Sequence, residues 1–339
     1  MWINLTYLWG TLRSLRMNYI AMVLMLVSIS IFSDGLSLLR PDAHAPIGVM
    51  ADHAHQQGEV MVSYRVMPME MNTLFNGTRS LDDSDAISYM MRPTDMRMTM
   101  HMVGAMWGFS NHVTLMAMLG YSEYDMRMVN QMKTVSAMTS RGLNDLKLGA
   151  IFNVYSDDVN RWITNAGLSL PLGSIKEKKA DGTHLPHGMQ LGSGSYDLML
   201  GTTLQHLQED YSFGAQLNGT FRLGKNSLNY RLGNRYVASI WAQKMWSQII
   251  STSLRSSWTS VTDMHGQDKT LSAMTIAMSP SYEGLGHDVI DVGVGVNMIV
   301  PQWSNMRLAG ELAVPVFRRS KHVSLMTDAS MIIGVQHMF

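Results

Sequence analysis

The 339-residue sequence contains no cysteine. Disulfides and thiolate-held metals are therefore excluded. A charge of one sign is lacking too, because 26 lysines and arginines balance 26 aspartates and glutamates. No basic field points to nucleic acid, and no nucleic-acid partner is expected. Long apolar runs are almost absent, although 46% of the residues are hydrophobic. That spread of apolar residues leans toward β structure.

The one continuous apolar run is YIAMVLMLVSISIF at residues 19–32, behind Arg13 and Arg16. It has roughly the length of a signal-peptide core and is too short for a comfortable membrane span. Small residues follow in the stretch Asp42, Ala43, His44 and Ala45. Residues 1–45 are therefore expected to hold a secretory signal and its flank, with Met17 as a plausible start and cleavage near Ala43 or Ala45. The alternative is an uncleaved interfacial helix. Residues 46–339 are expected to form the mature domain.

What is present is alternation. No later segment keeps a helical period, but segments of about ten residues recur with one apolar face each. Val60, Val62, Tyr64 and Val66 share a face, with Met61, Ser63 and Arg65 opposite. Val113, Leu115, Ala117, Leu119 and Tyr121 oppose His112, Thr114, Met116 and Met118. Tyr211, Phe213, Ala215 and Leu217 oppose Gln216, Asn218 and Thr220. About twelve such strands follow one another, an even number in the range of membrane barrels. Short connections near residues 110–111, 156–160, 207–210, 247 and 301–305 alternate with long ones. The last connection, at residues 318–322, is short but falls in the long-loop phase. The expected fold is all-β: an antiparallel transmembrane β-barrel in the outer membrane of a Gram-negative bacterium, with both termini periplasmic. Lipid would be its partner, because a closed barrel satisfies every backbone polar group without edges. A soluble β-sandwich or lipocalin-like barrel has a similar period but no reason to alternate its loop lengths.

Three stretches carry a family resemblance. They are SRGLNDLKLGAIFNVY at 140–155, LSLPLGS at 168–174 and LGSGSYDLMLG at 191–201. In order and spacing they resemble the G-L-G-D, L-P-x-G and L-G-x-G-x-x-D series of the MetA-pathway of phenol degradation family. The stretch HAPIGVMADHAH at 44–55 is similar to the opening of a methionine-rich branch of those proteins. The resemblance implies an outer-membrane barrel with a transport-like role, and it supplies no substrate. Asn144 stands where the family has glycine. His337 stands where a closing strand usually carries an aromatic, which leaves the terminal Phe339 as the expected signal to the barrel-assembly machinery.

Methionine is abundant, with 33 residues, and it is oddly placed. Met96, Met98, Met100 and Met102 fall at every second position of one strand. Val103, Ala105, Trp107 and Phe109 look lipid-facing, so parity turns the methionines inward. The preceding strand adds Met67, Met69 and Met71, and the next adds Met116 and Met118. Thioether sulfur is soft and selects Cu(I), so these nine methionines form a candidate metal site with Cu(I) as the candidate cofactor. His53, His55, His112, His184 and His187 would add imidazoles. The plainer reading is methionine as an adaptable packing residue.

Arg65, Asp145, Lys147, Asp197, Arg222, Arg255, Asp291, Arg307, Glu311 and Asp328 fall on the polar faces. Their mixed signs suit ion pairs that close the interior, or a polar path through it. No nucleophile elbow, phosphate loop, EF-hand or H-E-x-x-H occurs, so no enzyme is expected. Three functions stay open: a transporter or channel handling soft metal ions, an uptake porin for small hydrophobic or aromatic compounds, and a closed structural barrel.

Overall fold

A computed structural model describes residues 40–82, 89–271, 275, 279–280, 284–303 and 306–339. The apolar run at residues 19–32 and the start at Met17 lie outside the described residues. Twelve strands form the barrel. They are β1 Val60–Met71, β2 Met91–Ser110, β3 Val113–Asn130, β4 Leu146–Ser156, β5 Asn160–Leu170, β6 Asp197–Leu207, β7 Tyr211–Arg222, β8 Arg235–Met245, β9 Ile250–Val261, β10 His287–Val300, β11 Met306–Met326 and β12 Ala329–Met338. Each pairs antiparallel with the next in the chain, and β12 closes the ring on β1, with Tyr64 opposite Val335. Three further strands, Thr73–Gly77, Arg79–Leu81 and Val135–Leu143, extend the sheet beyond the ring. Among the described residues no helix is long and apolar enough to cross a membrane.

The outer surface explains the alternation. Val103, Trp107, Phe213, Leu217, Ile240, Leu254, Val294 and Val316 are all exposed, Leu217 to 60%. Their strand neighbours Gln216, Gln243, Ser253 and Arg255 are buried inside the ring. Apolar-out and polar-in is the reverse of a water-soluble barrel and suits a lipid exterior. The tryptophan and tyrosine rings among the exposed residues match the aromatic girdles of such barrels.

Both described chain ends and the short turns after β2, β4, β6, β8 and β10 lie at one end of the barrel, and the short β11–β12 turn lies at the other. The long connections, residues 72–90, 131–145, 171–196, 223–234 and 262–286, lie at the other. One detail differs from the sequence reading. Residues 318–322 are no turn: β11 runs on to Met326, and the reversal comes at Thr327 and Asp328. Charge there marks where the strand leaves the lipid band, not where it ends. β4 also carries a bulge between Asn153 and Tyr155, which turns Tyr155 outward in place of Val154.

Candidate functional site: a plugged lumen

The lumen is filled by the chain's own N-terminal segment. Residues 40–58 enter from the short-turn end, rise to mid-height and return to join β1. Asp42 to Ala45, which the sequence reading attaches to the signal's flank, are buried in the barrel, as are Ile47, Val49, His53 and His55. The segment has almost no internal ladder, so its backbone carbonyls need partners from the wall. The polar inner faces supply them. Gln205 Nε2 donates to the Ala43 carbonyl at 3.1 Å, and Ser212 Oγ donates to Asp42 O at 2.9 Å. Gln243 Nε2 donates to His44 O at 2.7 Å, Arg307 Nη2 to Ala45 O at 2.7 Å and Gln216 Nε2 to Met50 O at 2.7 Å. Arg161 reaches Ala43 O at 3.4 Å, and Thr114 Oγ1 accepts from the His55 N–H at 2.8 Å. These groups come from β3, β5, β6, β7, β8 and β11, so the segment is held around most of the ring. Each such bond is worth about 0.5–1.5 kcal/mol net.

Two glycines let the segment seat so closely. A Cβ on Gly48 would stand 2.5 Å from Glu311 Oε1 and 2.8 Å from Arg255 Nη2. A Cβ on Gly108, in β2, would stand 1.8 Å from the carbonyl oxygen of Gln56. Apolar contacts complete the seat. Ala45 and Val49 pack on Trp241, and Ala51 and Ala54 pack against Met116, Ile151 and Ile163.

The charged interior residues divide by task. Arg255 grips Glu311 with Nη2–Oε1 2.5 Å and Nε–Oε2 3.1 Å, deeply buried on both sides. Asp197 pairs with Arg222 and accepts from Ser195 Oγ at 2.8 Å. Asp145 accepts from the N–H groups of Gly173 (2.9 Å) and Ser193 (2.8 Å), so it pins the 171–196 loop. Arg65 packs on the Met50 sulfur, and Arg307 also donates to Asn297 Oδ1. Asp328 anchors the β11–β12 turn through Arg318 and Thr73. Lys147 lies on the inner parity opposite Met118, and Asp291 lines a cavity near the long-loop end.

The methionines form rows across strands. Met71, Met96, Met126 and Met138 stand directly opposite one another on β1, β2, β3 and the Val135–Leu143 strand. Neighbours in such a row are about 4.8 Å apart. Met96, Met126, Met128 and Met138 pack with Leu185 and Met189 of the 171–196 loop into a buried cluster that roofs this side. Met67 opposes Met100, and Met69 opposes Met98, both pairs half-buried on the same wall. Lower down, Met61, Met106 and Met116 form a second row, with Met102 and Met118 beside it. No bulge interrupts β2 between Met96 and Met106, so the ladder keeps one facing.

Among the described residues, cavities remain inside the ring. One of about 370 Å³ lies beneath the long-loop end, lined by Met69, Arg222, Arg235, His287, Val289 and Asp291 among others. A small one of about 30 Å³ lies between the segment and the β1–β3 wall, where Asp52 and His53 meet Met50, Met61, Met102, Met106, Met116 and Met118.

Asp52 organises the segment. Its Oδ2 accepts from the Ala45 N–H at 2.9 Å, and its Oδ1 accepts from His53 Nδ1 at 3.0 Å. His44 Nδ1 lies 4.0 Å from Asp52 Oδ2. The His44 and His53 rings meet edge to face at 4.4 Å, and His53 meets His55 at 4.9 Å. Burial pushes His44 well below the ordinary imidazole range, and burial with His53 beside it takes His55 down to about 3. Burial opposes the charge on Asp52, yet His53 holds its carboxyl well below the usual carboxylate range. Burial thus disfavours charge on His44 and His55 beside the Asp52 carboxylate. Sequence reasoning named His53 and His55 but missed His44, Asp52 and the anchoring glutamines. The one signal was the density of histidine in HAPIGVMADHAH.

No family model matches the chain, so the phenol-degradation resemblance rests on its quoted motifs alone. No curated protein matches it either. Solved structures do. The COG4313 outer membrane channel from Pseudomonas putida is 11% identical, with a TM-score of 0.58, over 84% of this chain and 97% of that one. The transport unit of the autotransporter AIDA-I from Escherichia coli follows at 10% identity and a TM-score of 0.49, over 86% and 93%. The CymD monoaromatic hydrocarbon channel has 8% identity and a TM-score of 0.39, over 84% and 88%. At 11% identity the likeness to the COG4313 channel shows the fold alone, that of an outer-membrane barrel.

Proposed function

We propose that this chain is an outer-membrane transporter, closed at rest by its own N-terminal segment. One observation carries the reading: wall side chains from six strands are spent on the backbone carbonyls and N–H groups of residues 40–58. A barrel with a purely structural role needs only side-chain packing or ion pairs to fill its lumen. A peptide held chiefly by hydrogen bonds to the wall is a stopper that can leave its seat while the ring of strands stays paired. In this reading the short-turn end and both termini are periplasmic, and Phe339 addresses the chain to the assembly machinery.

The cavity at the long-loop end favours a small solute of partly apolar character. Leu232, Val261, Leu285 and Val289 line it beside Arg222, Arg235 and Asp291. This wall suits a small hydrophobic or aromatic molecule with a polar group.

Single-channel recording tests the proposal. The chain lacking residues 40–57, folded into planar bilayers, is expected to conduct several-fold more than the full chain, since the segment spans the lumen. Equal conductance in the two forms would sink the stopper and favour the closed structural barrel.

A further inference from the structure

We propose that His44, Asp52 and His53 form a buried binding site for a single copper ion, with the methionine-walled cavity beside it as its sulfur side. The site goes beyond the transport reading and is tested without it, since metal titration reads the folded barrel whether or not it conducts.

Geometry comes first. The three residues each offer one ligand atom, and these atoms lie within 4.8 Å of one another, all buried. Around a tetrahedral ion with bonds of 2.0–2.2 Å, ligand atoms stand about 3.4 Å apart. Small side-chain rotations close that difference. All three residues sit on one short segment between Ala45 and the β1–β3 wall, so they move as a unit.

The imidazoles are also under-used. The His53 ring meets Asp52 Oδ1 through Nδ1, which turns Nε2 away from the carboxylate. That Nε2, His44 Nδ1 and His55 Nε2 are buried without a hydrogen-bond partner. Leaving such a group unsatisfied is unfavourable, because its hydration is lost with nothing in exchange. Three such nitrogens within twelve residues are an expensive way to fill a stopper, and a metal ion gives them a partner.

The ion's identity follows from the surroundings. Arg161 and Arg307 both act on this cluster, so a monovalent ion is repelled less than a divalent one. Imidazole suits copper and zinc alike, but thioether sulfur selects copper. The 30 Å³ cavity that Asp52 and His53 share with six methionines supplies that sulfur.

The test is titration of the folded full chain with Cu(I) against a chromophoric chelator, and with Zn(II) in parallel. The expected result is one copper per barrel, held more tightly than zinc. His44→Gln with His53→Gln is expected to weaken copper by about a hundredfold or more, since even outer partners of a ligand cost 10–100-fold. Met61→Leu with Met102→Leu keeps size and apolarity, and is expected to weaken copper by about tenfold while leaving zinc unchanged. Met96→Leu with Met126→Leu, in the roof cluster, is expected to change neither. Heat-dependent gel mobility verifies folding, and the single His53→Gln variant serves if the double variant does not fold. No copper bound, or unchanged affinity in the histidine variants, overturns the site. Zinc held as tightly as copper, or loss of binding only in the roof variant, overturns the copper assignment.

Discussion

Replacing Gly48 by leucine is expected to open the barrel while leaving its wall intact. Even a Cβ at this position falls 2.5 Å from Glu311 Oε1 and 2.8 Å from Arg255 Nη2. Ends of flexible side chains usually swing aside. These cannot, because each is locked to the other in a buried two-point ion pair. Seating a leucine means overpacking, worth about 1–3 kcal/mol, or breaking the pair, worth about 3–5 kcal/mol. Either penalty falls on the closed state alone, so it shifts the balance toward the segment leaving its seat. A penalty of about 3 kcal/mol shifts the ratio of closed to open barrels by roughly a hundredfold. Single-channel recording should show the conductance of the chain lacking residues 40–57. A closed trace from Gly48→Leu would mean that the segment passes the ion pair differently from the contact described.

The second large effect falls on stability. Glu311→Ala leaves the Arg255 guanidinium buried beside Gly293 and Gly295 without its hydrogen-bonded counter-charge. Both glycines are on β10, between the strands that carry the pair. An uncompensated buried charge costs about 3–5 kcal/mol. The double change Arg255→Met with Glu311→Leu removes the charge along with its partner, and is expected to recover most of that loss. Urea unfolding of the barrel in detergent, followed by tryptophan fluorescence, measures both. A Glu311→Ala barrel as stable as the parent would show that the pair is solvated in the folded state.

The barrel was legible from its sequence for a physical reason. Lipid forces every second residue of each spanning strand to be apolar, and Tyr211, Phe213, Ala215 and Leu217 display that rule locally. The misplaced turn at residues 318–322 marks the rule's boundary. Beyond the lipid band a strand has no reason to alternate, so Arg318 to His322 look like a loop while the ladder continues. Bulges such as that at Asn153 are set by pairing with β5, and no local pattern announces them.

The stopper was nearly invisible for the opposite reason. Residues 40–58 have no period, because no repeating surface faces them. Their partners Arg161, Gln205, Gln216, Gln243 and Arg307 lie more than a hundred residues away, each explicable on its own strand as an ordinary lumen-facing polar residue. The methionine ladder stood between these extremes. Parity gave its facing, and the structure keeps that facing. What parity could not show is that the upper row lies under Leu185 and Met189 as a roof, while the lower row walls the cavity beside His53.

The absence of cysteine allows a direct test of the central claim, that the N-terminal segment occupies the lumen. Ala43 is fully buried among Arg161, Gln205 and Gln243. Ala43→Cys places the only thiol of the chain at that point. Its labelling by a bulky membrane-impermeant maleimide is to be timed in the folded barrel and in urea. The closed barrel predicts labelling slowed by roughly a hundredfold or more on folding, because reaction waits for the segment to leave its seat. Labelling at the same rate in both states would contradict it.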